Sequence, residues 1–293
     1  MATPTESPPV VRDAHVSPEH STPAFFVGTS WKMNKSIAEA QHYAERVRDA
    51  LGARPWATHF VIPSFTAISA VARVLAGSKV MVGAQDVSPH VSGAHTGEVS
   101  AAQLADAGAV IVEVGHQERR RDHGETDTTV NRKVRRVLEA GLRPLVCVGE
   151  TKAERDFGVT EHTLSRQVKV ALHGIDGGAA ASIVWAYEPA WAIGLNGVAA
   201  EPEDVVAAHR VITSVAEGCI GSSSAAPVVL YGGSVDVANA GELARLAEVQ
   251  GLFVGRAALD VEVFLAVSEQ ARAARTGSGE ILTKSSEGSG ARG

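Results

Sequence analysis

Short apolar runs and amphipathic stretches alternate along this chain eight times. The runs are Phe25–Gly28, His59–Ile62, Lys79–Gly83, Ala109–Val114, Pro144–Val148, Ile183–Tyr187, Val228–Tyr231 and Leu252–Val254. They are near-continuously apolar rather than alternating, which marks strands buried on both faces; such strands belong in a parallel sheet covered by helices. Helix-start signals fall between them. Ser36-Ile37-Ala38-Glu39 and Ser100-Ala101-Ala102-Gln103 read as capping boxes, and Gly52, Gly108 and Gly141 follow predicted helix ends. Eight β-then-α units over roughly 250 residues predict a single α/β domain, a (β/α)8 barrel, over residues 24–275. An open doubly wound sheet is the poorer reading, because no G-x-G-x-x-G follows the first run.

The flanks differ in composition. Residues 1–23 are rich in Pro, Ser, Thr and acids and lack the apolar segment of a signal peptide, while residues 276–293 are rich in Gly and Ser. Both are expected to be disordered tails. The net charge of −6 opposes a nucleic-acid surface, which is normally basic. No apolar stretch reaches the length of a membrane span, so no membrane partner is expected. Cys147 and Cys219 are too few for a disulfide framework or a zinc site, and Cys147 reads as a small buried hydrophobe in a strand. A reducing cytoplasm fits this usage. Neither a metal nor a cofactor is expected.

A barrel gathers its chemistry where strands end and βα loops begin. After the first run comes Gly28-Thr29-Ser30-Trp31-Lys32-Met33-Asn34, which places Lys32 at the mouth, a poor site for a purely structural cation. The fourth run leads into Val114-Gly115-His116-Gln117-Glu118-Arg119-Arg120. Beyond the sixth lies Ala186-Tyr187-Glu188-Pro189-Ala190-Trp191-Ala192-Ile193-Gly194. A carboxylate at the end of a buried strand costs folding energy unless it is paired or in use, and Glu188 is therefore a candidate general base. Pro189 forces an extended exit. Trp191 and Ile193 are apolar residues in a loop, which suits a lid that closes. Tyr231-Gly232-Gly233-Ser234 and Val254-Gly255-Arg256 supply glycine-rich turns suited to a phosphate. Singly, a histidine after a strand is more often a cap and Gly-Gly-Ser is more often a turn. Their convergence at one end of one barrel carries the argument. The runs Arg119-Arg120-Arg121 and Arg132-Lys133-Val134-Arg135-Arg136 are expected on solvated faces, with Glu118 and Glu125 as partners.

These motifs together resemble the triosephosphate isomerase family over roughly Phe25 to Gln270. Val82-Gly83-Ala84-Gln85 and Gly93-Ala94-His95-Thr96-Gly97-Glu98 add to the likeness. The resemblance implies roles: Lys32 as electrostatic stabiliser, His116 as electrophile and Glu188 as the base that shuttles the proton. It further implies Glu118 as a supporting acid, and Gly194, Ser234 and Gly255 as phosphate binders. A homodimer is implied as well, in which Thr96 reaches the partner's active site. Three departures bear on the substrate. Ser30 stands where the family has Asn, the lid runs Gly194-Leu195-Asn196-Gly197 instead of Gly-Thr-Gly-Lys, and Arg256 follows Gly255 at the phosphate loop in place of a second glycine. The first two resemble the branch that isomerises L-erythrulose 1-phosphate to D-erythrulose 4-phosphate. The alternatives are ordinary triosephosphate isomerisation and, from another class, a sugar-phosphate-binding barrel without catalysis.

Overall fold

The structure is a computed structural model, described here for residues 25–53, 56–194, 197–220 and 226–277. Both expected tails, and the lid residues Leu195 and Asn196, lie outside the described residues; the last helix extends to Thr276. Each apolar run becomes a strand: β1 Phe26–Ser30, β2 Thr58–Ile62, β3 Met81–Ala84, β4 Ile111–Val114, β5 Arg143–Val148, β6 Val184–Tyr187, β7 Val228–Tyr231 and β8 Gly251–Val254. They pair in parallel in chain order, and Phe26 beside Gly251 closes the sheet on itself. This is the predicted (β/α)8 barrel. The predicted capping boxes at Ser36 and Ser100 are both formed. Gly108 and Gly141 adopt left-handed φ values of 96° and 72° just beyond their helices, a conformation that glycine enters without a Cβ clash.

Two cores follow from strand alternation. Phe60, Ile62, Ile111, Leu145, Leu230 and Phe253 point inward and fill the barrel. Their alternates Val61, Val112, Val146, Trp185 and Val229 point outward against the helices. The inner layer is a packed plug, so the mouth has a solid floor. Gly28 makes room for it, since a Cβ there would lie 2.0 Å from the Phe60 ring.

The basic runs are a correction. Arg121 is exposed beside Asp122, as expected. Lys133, by contrast, is buried; its ammonium lies 2.6 Å from Asp86 and 2.5 Å from Glu125. Arg119 also meets Asp86, at 2.7 Å, and Arg120 meets Asp127 at 2.6 Å. Helical spacing explains the burial. Lys133 shares the inward face of the helix Asp127–Glu139 with Val130, Val134 and Val137. A charge run read linearly conceals which of its members the 3.6-residue period turns inward.

Candidate active site

The mouth of the barrel holds a cleft of about 460 Å³, of a size for a small ligand. Lys32, His116, Glu118 and Glu188 line it together with Ser30, Gly194, Ser234, Gly255 and Arg256. Eight of the site residues expected from sequence thus border one cavity with Glu118 as the ninth. Thr96 does not. It lies in a fully exposed stretch, residues 90–98, away from this chain's own cleft.

Lys32 sits at the end of β1 with φ 52°, left-handed for a residue that carries a Cβ. Such strain persists only where neighbours hold it. The Gln85 amide donates to the Lys32 carbonyl at 2.9 Å, and Trp31 N–H donates to Ile62 at 3.0 Å. The ammonium is thereby aimed at the cleft, where it meets Glu118 Oε1 at 2.7 Å. Partial burial acts to raise the Glu118 carboxyl, but the Lys32 ammonium outweighs it and holds that carboxyl below the usual range.

His116 caps the helix Gln117–His123, and its Nδ1 accepts the Glu118 backbone N–H at 3.1 Å. A ring nitrogen that accepts carries no proton, so the proton sits on Nε2. The ring is buried, and Nε2 faces Glu188 Oε2 at 3.7 Å and Glu113 Oε1 at 4.0 Å. His116 is thus arranged as a neutral donor into the cleft.

Glu188 follows β6 and is 2% exposed. Its backbone N–H donates to Val148 at 2.7 Å. Oε2 is buried with no hydrogen-bond partner among the described residues, the expense of keeping a base ready for a proton from outside the protein. The seat is shaped by missing side chains. A Cβ on Gly232 would lie 2.8 Å from Glu188 Cγ, and one on Gly149 would lie 2.0 Å from the Glu188 carbonyl oxygen.

Pro189 leads into the predicted lid. The indole of Trp191 donates to Glu150 Oε1 at 2.7 Å, and the Arg155 guanidinium lies 3.9 Å from its ring centroid. Gly194, at φ 94°, brings the lid's far end to the cleft wall.

Sequence reasoning passed over Glu113. It sits in β4 two residues after the inward-pointing Ile111, and is 2% exposed. Burial is the main force that pushes its carboxyl up, to about 7; the Glu188 charge adds, while His116, the Ser30 hydroxyl and Lys32 pull back. Glu113, His116 and Glu188 each bring one ligating atom within 4.8 Å of the others, an arrangement open to a cation. The tautomer argues otherwise. With Nδ1 tied to the Glu118 N–H, the atom facing the carboxylates carries a proton that a cation would have to displace. The three groups suit moving protons better than holding a metal.

The triosephosphate isomerase family profile matches residues 25–271. An L-erythrulose-1-phosphate isomerase of Rhizobium etli is 47% identical over 252 residues, covering 85% of this chain and 93% of its own length. A triosephosphate isomerase of Treponema pallidum is 42% identical over 245 residues, covering 83% of this chain and 98% of its own. Among solved structures, triosephosphate isomerase from Bartonella henselae superposes with a TM-score of 0.75 at 32% identity, across 85% of this chain and 99% of that one.

Proposed function

The chain belongs to the triosephosphate isomerase family, and we propose that as a cytoplasmic homodimer it interconverts L-erythrulose 1-phosphate and D-erythrulose 4-phosphate. The class, a ketose/aldose phosphate isomerase, follows from the family. What carries the mechanistic reading is the facing pair: a buried carboxylate whose Oε2 has no hydrogen-bond partner among the described residues, 3.7 Å from a histidine nitrogen that bears a proton. Pairing a carboxylate base with a neutral imidazole is how triosephosphate isomerases form and resolve an enediolate. Glu188 takes the proton from the carbinol carbon next to the carbonyl. The electrons of that C–H bond form the carbon–carbon double bond, and the carbonyl oxygen gains negative charge. Nε2–H of His116 and the Lys32 ammonium face that oxygen and stabilise the charge. Return of the proton to the former carbonyl carbon, with a hydroxyl proton passing between the two oxygens, moves the carbonyl one position along. Gly194, Ser234, Gly255 and Arg256 hold the phosphate at the other end of the cleft.

The substrate reading rests on Ser30 and on the similarity to the Rhizobium protein. L-erythrulose 1-phosphate is dihydroxyacetone phosphate with a hydroxymethyl group added on the reacting carbon. Ser30 lines the cleft beside Lys32 and is smaller than the Asn of the family, which leaves space there. The nearest competing reading, triosephosphate isomerisation, is favoured by the Treponema similarity. A barrel without catalysis has nothing to recommend it, since Lys32, His116 and Glu188 all face one cleft. The test is to offer both phosphates to the wild type and to Glu188→Gln. The wild type is expected to prefer the tetrulose in kcat/KM, and the variant to lose about 10²–10⁴-fold of turnover, as for loss of a general base. A folded variant with near-native turnover would dismiss Glu188 as the base.

The homodimer reading has a surface to support it. Residues 90–98 are exposed along their length with Thr96 among them; Val91 there is 63% exposed, and Met33 in the chain's first βα loop is 97% exposed. Light scattering is expected to return twice the 30.5 kDa of one chain; a value of one chain mass at working concentration rules the dimer out.

A further inference from the structure

Glu113 is the group that the isomerisation as written leaves without a task. β4 alternates: Val112 and Val114 pack outward, Ile111 inward, so Glu113 occupies the top inward position of its strand. An apolar residue there would continue the plug beneath it. Instead a carboxyl is buried with no cation at bonding distance among the described residues. Lys32 gives its hydrogen bond to Glu118, at 2.7 Å, and His116 Nε2 stands 4.0 Å away. What reaches Glu113 is the Ser30 hydroxyl from β1 and, at 3.9 Å, the Cys147 thiol from β5. These are weak donors for a buried acid. Desolvation of this kind destabilises the fold and is retained where a ligand makes use of it.

The place of the carboxyl says which part of a ligand. The reacting carbon must lie between Glu188 and His116 Nε2, and Glu113 borders both. The phosphate end is committed to the loops after β6, β7 and β8. A group attached to the reacting carbon therefore meets Ser30, which lines the cleft, and behind it Glu113, the buried carboxyl that the Ser30 hydroxyl touches. We infer that Glu113 is a specificity-determining residue of this cleft: its carboxyl, together with the Ser30 hydroxyl, receives the hydroxymethyl arm that a tetrulose phosphate carries on its reacting carbon. The inference rests on the substrate reading above and deepens it. A hydroxyl is at once donor and acceptor, and a carboxyl–hydroxyl pair offers it both partners. A triose phosphate has only hydrogen at that position, and it leaves the pair desolvated and unmet. Sites built to bond a substrate hydroxyl discriminate against its absence far more than an apolar pocket discriminates by size. The elevated carboxyl supports the assignment. With its carboxyl raised by burial, Glu113 carries less negative charge beside Glu188, where the enediolate forms, than an ordinary carboxylate would.

The experiment measures kcat/KM for L-erythrulose 1-phosphate and dihydroxyacetone phosphate in the wild type, Glu113→Leu and Ser30→Ala, with circular dichroism to verify folding. Glu113→Leu is expected to lower the tetrulose-to-triose ratio about 10²-fold or more. Ser30→Ala, which leaves the barrel plug intact, is expected to lower it about tenfold and stands in if the leucine variant does not fold. Should the folded variants slow both substrates alike, Glu113 acts through His116 and not on the arm, and the assignment fails. A wild type that prefers dihydroxyacetone phosphate overturns the substrate reading and this inference together. A wild type that prefers the tetrulose, with variants that keep its ratio, overturns the role of Glu113 alone.

Discussion

Two buried carboxyls, Glu113 and Glu188, stand within reach of one imidazole, and their neighbours set what acidity does to the molecule. Glu113 is faced by Ser30 and Lys32 from β1 and its loop, by Cys147 from β5, by Glu188 after β6 and by His116 from its own strand's loop. Burial first, then the Glu188 charge, raises it to about 7, above the usual carboxyl range. The folded protein therefore keeps this proton at pH values where the unfolded chain has lost it. Its contribution to stability is complete below the ordinary carboxyl range and is lost as pH rises through about 7. Urea unfolding at pH 5.5 and pH 8 is expected to show a smaller stability difference in Glu113→Gln than in the wild type. Equal pH slopes would contradict the elevated carboxyl. Residues at this scale were unequally legible. Lys32, His116 and Glu188 announce themselves because each ends an apolar run. Glu113 lies inside one, and whether an acid in a buried strand faces the plug or the mouth is settled by register, which no linear pattern contains.

The lid is an element whose two ends are treated differently. Trp191 is clamped by Glu150 and by the stacked Arg155, which is itself paired to Asp204 at 2.7 Å. Gly194 has a left-handed turn, and its carbonyl accepts only a long bond, 3.3 Å, from the Gly197 N–H. On the lid reading proposed from the sequence, movement is expected at the far end, with Trp191 as its fixed foot. Binding of a phosphorylated inhibitor is expected to change tryptophan fluorescence, and Trp191→Phe to abolish most of the change. If the signal survives that substitution, one of Trp31, Trp56 and Trp185 is its source and the lid assignment goes. An apolar loop after a buried acid was enough to suggest a lid from sequence. The clamp was not foreseeable, because Glu150 comes from the loop after β5 and Arg155 from the short helix Lys152–Asp156 that follows it, some forty residues earlier.

Across the whole molecule, one buried ionic cluster ties the β3 side of the barrel to its helical shell. Lys133 on the helix Asp127–Glu139 binds Asp86, just past β3, and Glu125 ahead of that helix. Lys133→Met keeps the stem but takes the close cation from buried Glu125 and leaves Asp86 with Arg119 alone, and breaking a buried pair in this way typically costs about 3–5 kcal/mol. Chemical denaturation is expected to show a loss of that order. A loss under about 1 kcal/mol would mean that the carboxylates are neutral or hydrated in the variant. The barrel itself was legible almost strand for strand, since every βα unit repeats one hydrophobic code. This cluster was not, because it joins charges from three segments whose partnership only the closed fold creates.

Asp86 is also the root of the exposed segment through which a second copy would be met, for Ser88, two residues on, donates its backbone N–H to Val99 at 2.8 Å and pinches that segment into a closed loop. Seen as inheritance, the seat of the base and this loop are subject to opposite rules. Gly149 and Gly232 leave Glu188 its place by lacking side chains, so those two positions admit one amino acid and record almost no history. Residues 90–98 are exposed along their length, so their side chains are little constrained by the barrel itself. Lineages of such an enzyme should accordingly diverge in this exposed segment long before they diverge in how they take a proton. On the specificity proposed above, new substrates would enter by way of Ser30 and the Glu113 behind it, where a side chain can still be exchanged.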